Sequence, residues 1–196
     1  MRNQRSGVIV NISSLAGYVG FPASSVYNST KFALEGLSES LAYEIEPYGI
    51  SIVLIEPGVI NTNFVENIMI PGNTRSISSY LLSSSSPSIA TSSNSNTHPD
   101  NSKSQREITE YAAVVERFLS RYYPAMRNAP SPKEVAKVIL ESINDSVISI
   151  RQGANNNFHR YPIGDDAKFY ADAKRKMSDS ELHSFVAKRI LSNQQD

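Results

Sequence analysis

The chain has 196 residues, enough for one domain with a sizeable core, and its 19 basic and 19 acidic side chains cancel. A net charge of zero offers no electrostatic case for a nucleic acid or an anionic membrane as partner. The absence of cysteine excludes disulfides and thiolate chemistry, which fits a cytoplasmic protein.

Met1-Arg2-Asn3-Gln4-Arg5 leads directly into an apolar run, with no stretch of signal-peptide length before it. The longest apolar runs are strand-sized, far short of the ~20 residues a membrane-spanning helix needs. Val8 to Ile12 is mostly β-branched and bounded by Gly7 and a Ser-Ser turn, the pattern of a strand buried on both faces. From about Ser25 to Tyr48 the pattern turns helical. Leu34, Leu37, Leu41 and Ile45 form the expected inner stripe, with Glu35, Glu39 and Glu46 off it. Pro47 and Gly49 supply a stop. Ile50 to Ile55 reads as a second apolar strand. Strand, helix, strand at this spacing is a crossover unit and demands parallel pairing.

Residues 76 to 105 are dominated by Ser and Asn and have little to bury, so a low-complexity, disordered insert is expected there. Helical periodicity resumes from Glu110 to Tyr122 through Ala112, Val115, Phe118 and Leu119. Ser131-Pro132-Lys133-Glu134 predicts a capping box opening a helix through Val135, Val138, Ile139 and Ile143. Phe158 to Ile163 is the expected last strand, with Val147 to Ile150 a competing candidate. A second capping box, Ser178 to Glu181, opens a terminal helix carrying Leu182, Phe185, Val186, Ile190 and Leu191. The histidines, His98, His159 and His183, are scattered, and no metal site is expected.

The chemistry concentrates on Tyr27 and Lys31. Four residues apart on a helix, they stack on one face, bringing an ammonium beside a phenol. A fixed positive charge favours the phenolate, moving a poor acid or base toward the working range. Ser14, thirteen positions before the tyrosine, could donate a hydrogen bond to a carbonyl oxygen at the same point. No Gly-x-Ser-x-Gly elbow surrounds Ser13 or Ser14, so a serine hydrolase is excluded.

Three blocks, Gly7-Val-Ile-Val-Asn-Ile-Ser-Ser14-Leu-Ala-Gly17, Tyr27-Asn-Ser-Thr-Lys31 and Ile55-Glu-Pro57-Gly58-Val-Ile-Asn-Thr62, occur in order with a spacing that resembles the short-chain dehydrogenase/reductase family, ordinary branch. The resemblance implies an α/β fold, a partial Rossmann-like doubly wound parallel sheet. It also implies an oxidoreductase that interconverts an alcohol and a carbonyl by hydride transfer with NAD or NADP. Tyr27 would be the acid/base and Lys31 its activator and ribose ligand, while Ser14 would polarise the carbonyl. Tyr27, Lys31, Pro57, Gly58, Val59, Ile60 and Thr62 would hold the nicotinamide end.

None of the glycines falls in a Gly-x-Gly arrangement, so the N-terminal strands and glycine-rich turn of a dinucleotide fold are missing. The resemblance covers only the C-terminal portion of a family member. The expectations are therefore a single partial dinucleotide-fold domain over 1–196, inactive as a truncated chain, with an unpaired edge on Val8 to Ile12. Residues 63–123 are expected to form a substrate lid. Phe64, Ile68, Met69, Tyr80, Leu81 and Leu82 incline it toward an apolar alcohol or ketone such as a lipid, retinoid or steroid-like molecule. At full length a homo-oligomer is expected. The alternative is a non-catalytic remnant or interaction module docking through the Ser25–Tyr48 helix.

Overall fold

The computed structural model describes residues 1–64, 101–153 and 157–192, with side chains between 101 and 192 described from Ala113 onward. The chain divides into two compact units, residues 62–112 and the remainder. The larger unit contains a three-stranded parallel sheet in the order β1 (Gly7–Ile12), β2 (Ile50–Pro57), β3 (Phe158–Ile163). Val8 pairs with Ser51 and Ile12 with Ile55, while Ile52 pairs with Phe158 and Pro57 with Ile163.

β2 is the centre of the molecule. Ile52, Val53, Leu54 and Ile55 are fully buried, as a strand covered on both faces requires. α1 (Ser25–Ile45) covers one face, where Ala42 and Ile45 pack with Ile50 and Ile52. α3 (Pro132–Arg151) covers the other, where Val135, Val138 and Ile139 pack with Val53, Ile55 and Ile163. β1 pairs on one side only, so it is an edge among the described residues, and Ile12 at its end is 45% exposed.

α1 ends through a 3-10 turn, Glu46–Tyr48, containing Pro47. Gly49 follows at φ 62, a left-handed conformation, and a Cβ there would lie 2.6 Å from the Arg5 carbonyl oxygen. The inner stripe of α1 differs from the sequence expectation. Leu37 is 60% exposed, whereas Asn28, Glu35, Ser38, Ala42 and Ile45 face inward. Polar partners from the sheet explain the rotation: Asn11 donates to Ser38 Oγ at 2.8 Å, and Arg160 pairs with Glu35.

α2 spans Asn101–Arg127, longer at both ends than its apolar stripe, so the last residues of the expected disordered insert, 101–105, are helical. Residues 76–100 of that insert lie outside the described residues, as does most of the expected lid. Val147 to Ile150, the competing strand candidate, belongs to α3. Continuation of the helix from Pro132 outweighs its short β-branched run. Ser131 caps α3 by accepting from Lys133 N at 3.1 Å. After β3 the chain forms α4 (Asp165–Lys176), which the sequence pattern did not announce, and α5 (Asp179–Leu191). Both halves of the capping box form at Ser178 and Glu181.

Candidate active site

Parallel strands joined by crossovers deliver their following loops to one edge, the carboxyl end, where open α/β sheets bind ligands. Two such loops meet here. After β1, Ser13 N donates to Ile55 O at 2.7 Å, and Ser14 then caps a 3-10 turn, Leu15–Gly17, accepting from Ala16 N at 3.2 Å. Ser14 is nearly buried, and its hydroxyl donates to Pro57 O at 3.3 Å, linking the two loops.

Tyr27 and Lys31 occupy the first turns of α1. The Lys31 ammonium lies 5.7 Å from the Tyr27 ring centroid and donates to Ile12 O at 2.8 Å. Burial holds the Lys31 amine below its ordinary value, with the charge of Glu35 working against that shift. Lys31 is thus anchored at the last residue of β1 and Ser14 at the last residue of β2. Tyr122 on α2 stacks on Phe118 at 5.6 Å between ring centroids. Its phenol is pushed up by burial, then by the charges of Tyr27 and Asp166, so it lies within electrostatic reach of Tyr27.

The loop after β2 is held by backbone contacts. Gly58 N donates to Ile163 O at 2.8 Å, and Val59 N donates to Asp166 Oδ2 at 2.7 Å. Asp166 Oδ1 also accepts from Ala167 N at 2.8 Å at the start of α4. A Cβ at Gly58 would overlap the Asp166 carboxylate, so a side chain there would have to displace it. The amides of Gly58 and Val59 are committed to the fold. Thr62 begins the second unit, where its hydroxyl accepts from Phe64 N at 3.3 Å. A cavity of about 1000 Å³ opens past Val59, between Glu134, Tyr161 and Lys168; Ser14, Tyr27 and Lys31 do not line it.

Among the described residues no group of three His, Asp or Glu is placed to hold a metal ion. The donor set does suit the nicotinamide half of a dinucleotide, since an ammonium and hydroxyls stand at the carboxyl ends of adjacent parallel strands.

Residues 1–70 match the family model described as short chain dehydrogenase. A 3-ketodihydrosphingosine reductase of Bacteroides thetaiotaomicron is 48% identical over 67 residues, covering 34% of this chain and 25% of that protein. Retinol dehydrogenase 8 of Bos taurus is 29% identical over 163 residues, covering 81% of this chain and 43% of that protein. Residues 1–70 are thus similar to the short-chain dehydrogenase/reductase family. A short-chain dehydrogenase from Streptomyces avermitilis shares its fold, with a TM-score of 0.50 at 23% identity over all of this chain and 54% of that one. The chain spans less than two thirds of the length of these curated relatives.

Three groups at this end of the sheet escaped the sequence reading. Asp166 sits at the N-terminus of a helix whose stripe, Ala167, Tyr170 and Ala173, is too small and mixed to stand out. Its signal was the acidic pair after Gly164. Glu35 and Glu56 are buried acids whose cation, Arg160, lies far along the chain.

Proposed function

We propose that this chain is the catalytic part of an NAD(P)-dependent oxidoreductase that interconverts an alcohol and a carbonyl by hydride transfer. The observation that carries the reading is the pairing of Tyr27 with a Lys31 ammonium fixed to Ile12 O at the end of β1; on the neighbouring strand the Ser14 hydroxyl is fixed to Pro57 O. A bound NAD or NADP supplies or accepts the hydride. Tyr27 exchanges the proton at the substrate oxygen, and Lys31 lowers the cost of the phenolate. Ser14 offers its hydroxyl to the carbonyl oxygen, a preorganised donor. Lys31 and Tyr27 supply polar contacts to the nicotinamide end, and Pro57 to Ile60 wall it. The substrate is a small molecule of apolar character, in keeping with relatives named for ketodihydrosphingosine and retinol. No helix among the described residues is long and apolar enough to cross a membrane.

The test is NADH- and NADPH-linked turnover of the 196-residue chain against a panel of long-chain and polycyclic carbonyls, with Tyr27→Phe alongside. Loss of a hundredfold or more, of the order general acid–base groups contribute, is expected. Undiminished turnover in the variant refutes the role. A second reading, a helix-docking module without turnover, is favoured by the outward exposure of Val26, Phe32, Leu37 and Tyr43 on α1. Calorimetry separates the two: failure of the chain to bind either NAD or NADP favours the module.

A further inference from the structure

Glu35 lies one turn beyond Lys31 and is buried to 6% exposure. Buried carboxylates need a cation and full hydrogen bonding. Arg160 on β3 donates to Glu35 Oε2 and, at 3.1 Å each, to Glu56 Oε1 on β2 and Glu39 Oε2 on α1. This guanidinium therefore ties the helix bearing Tyr27 and Lys31 to the strand that ends in Pro57.

The charges within that cluster do not balance. Glu35 and Glu56 are both buried, yet they share a single cation. The other oxygen of Glu35, Oε1, accepts no hydrogen bond, and neither it nor the nearby Ser13 Oγ has a partner. Both press on Gly17, where a Cβ would lie 2.8 Å from Ser13 Oγ and 3.0 Å from Glu35 Oε1. The groups facing it are Lys31 and Glu39 on its own helix, Glu56 on β2, Arg160 on β3 and Tyr18 in the loop after β1. Of these, Lys31 is the second cation.

We infer that Glu35 is a positioning residue for Lys31: clamped by Arg160, its carboxylate is a fixed anion one helical turn from the ammonium that donates to Ile12 O. Burial alone drives a lysine toward the neutral amine, and a fixed anion one turn away opposes that drive. The catalytic meaning of this arrangement rests on the function proposed above. The state of Lys31 can be measured without turnover.

The experiment is competitive acetylation of the folded 196-residue protein with acetic anhydride from about pH 7 to 11, reading the Lys31 peptide by mass spectrometry. Glu35→Gln is expected to lower the Lys31 midpoint by about half a unit and so raise its acetylation rate near pH 8 about threefold. Glu39→Gln, at an exposed site on the same helix, is expected to leave the rate within about 1.5-fold. Circular dichroism melting establishes that each variant folds. If Glu35→Gln does not, Glu35→Asp, which withdraws the charge by one methylene, reads the same shift in the same direction. An unchanged Lys31 rate in a folded Glu35 variant overturns the inference. A chain inert toward NAD(P) and carbonyls would sink the proposed function while leaving the acetylation result standing.

Discussion

The two loops at the mouth of the sheet are held in place by different physics. The loop after β1 is seized by an apolar cluster in which Leu15 and Val19 pack with Ala167, Tyr170, Leu182 and Val186 of α4 and α5. Phe21 adds an edge-on contact to Tyr170 at 5.2 Å, and Tyr18 donates to Ala167 O at 2.9 Å. Among the described residues the loop after β2 has no such cluster; the Asp166 carboxylate and the Ile163 carbonyl hold it by its amides. An apolar clamp spreads its stabilisation over many contacts and is indifferent to pH. A polar one concentrates it in a few groups and answers to charge.

The comparison can be broken first at its apolar side. Leu182→Ala removes a buried side chain from the centre of the clamp and should cost about 2–4 kcal/mol in urea unfolding, with little dependence on pH. A cost below about 1 kcal/mol would mean that α5 does not secure the Ser14 loop. On the polar side, Asp166→Ala strips Val59 N of its acceptor and should cost about 1–3 kcal/mol. Its amide exchange should speed up locally at Val59, whereas Leu182→Ala should loosen Leu15 to Val19 instead.

The smallest effect is a pH slope confined to the β2 side. Burial, then the charge of Glu35, raises the Glu56 carboxyl from 4.5 to about 7 against the pull of Arg160. The folded state thus binds this proton more tightly than the unfolded chain does. The sign follows: stability is fully present below about 4.5 and falls as pH rises through about 7. Glu56→Gln should flatten that fall, a change on the order of 1 kcal/mol after screening is allowed for, measured as melting temperature across the same window. A wild-type curve equally steep in the variant would remove Glu56 from the account.

The sequence made the sheet legible because its strands carry apolar runs bounded by strong punctuation. Phe158 to Ile163 coincides with β3, and Gly7, Pro57 and Gly164 mark strand ends or follow them. The Tyr27–Lys31 adjacency was legible for the same reason, being a local consequence of helical spacing. What stayed hidden depends on residues distant in sequence. Glu35 looked like a solvated charge because its cation is in β3, and Leu37 looked like core because periodicity alone cannot fix the rotation of a helix. α4 was missed because Ala167 and Ala173 bury little area apiece, and Tyr170 alone does not make a stripe.

The all-parallel arrangement has a consequence for how the chain assembles. β1, α1 and β2 are consecutive and can condense as a unit, but β3 arrives much later; Ser51 and Asn157, which meet beside the β2–β3 seam, are 106 residues apart. Closing so long a span is slow relative to local helix formation. Until it closes, Glu35 and Glu56 are without their guanidinium. The arrival of Arg160 both completes the third rung and supplies that cation, making chain closure and charge compensation a single event.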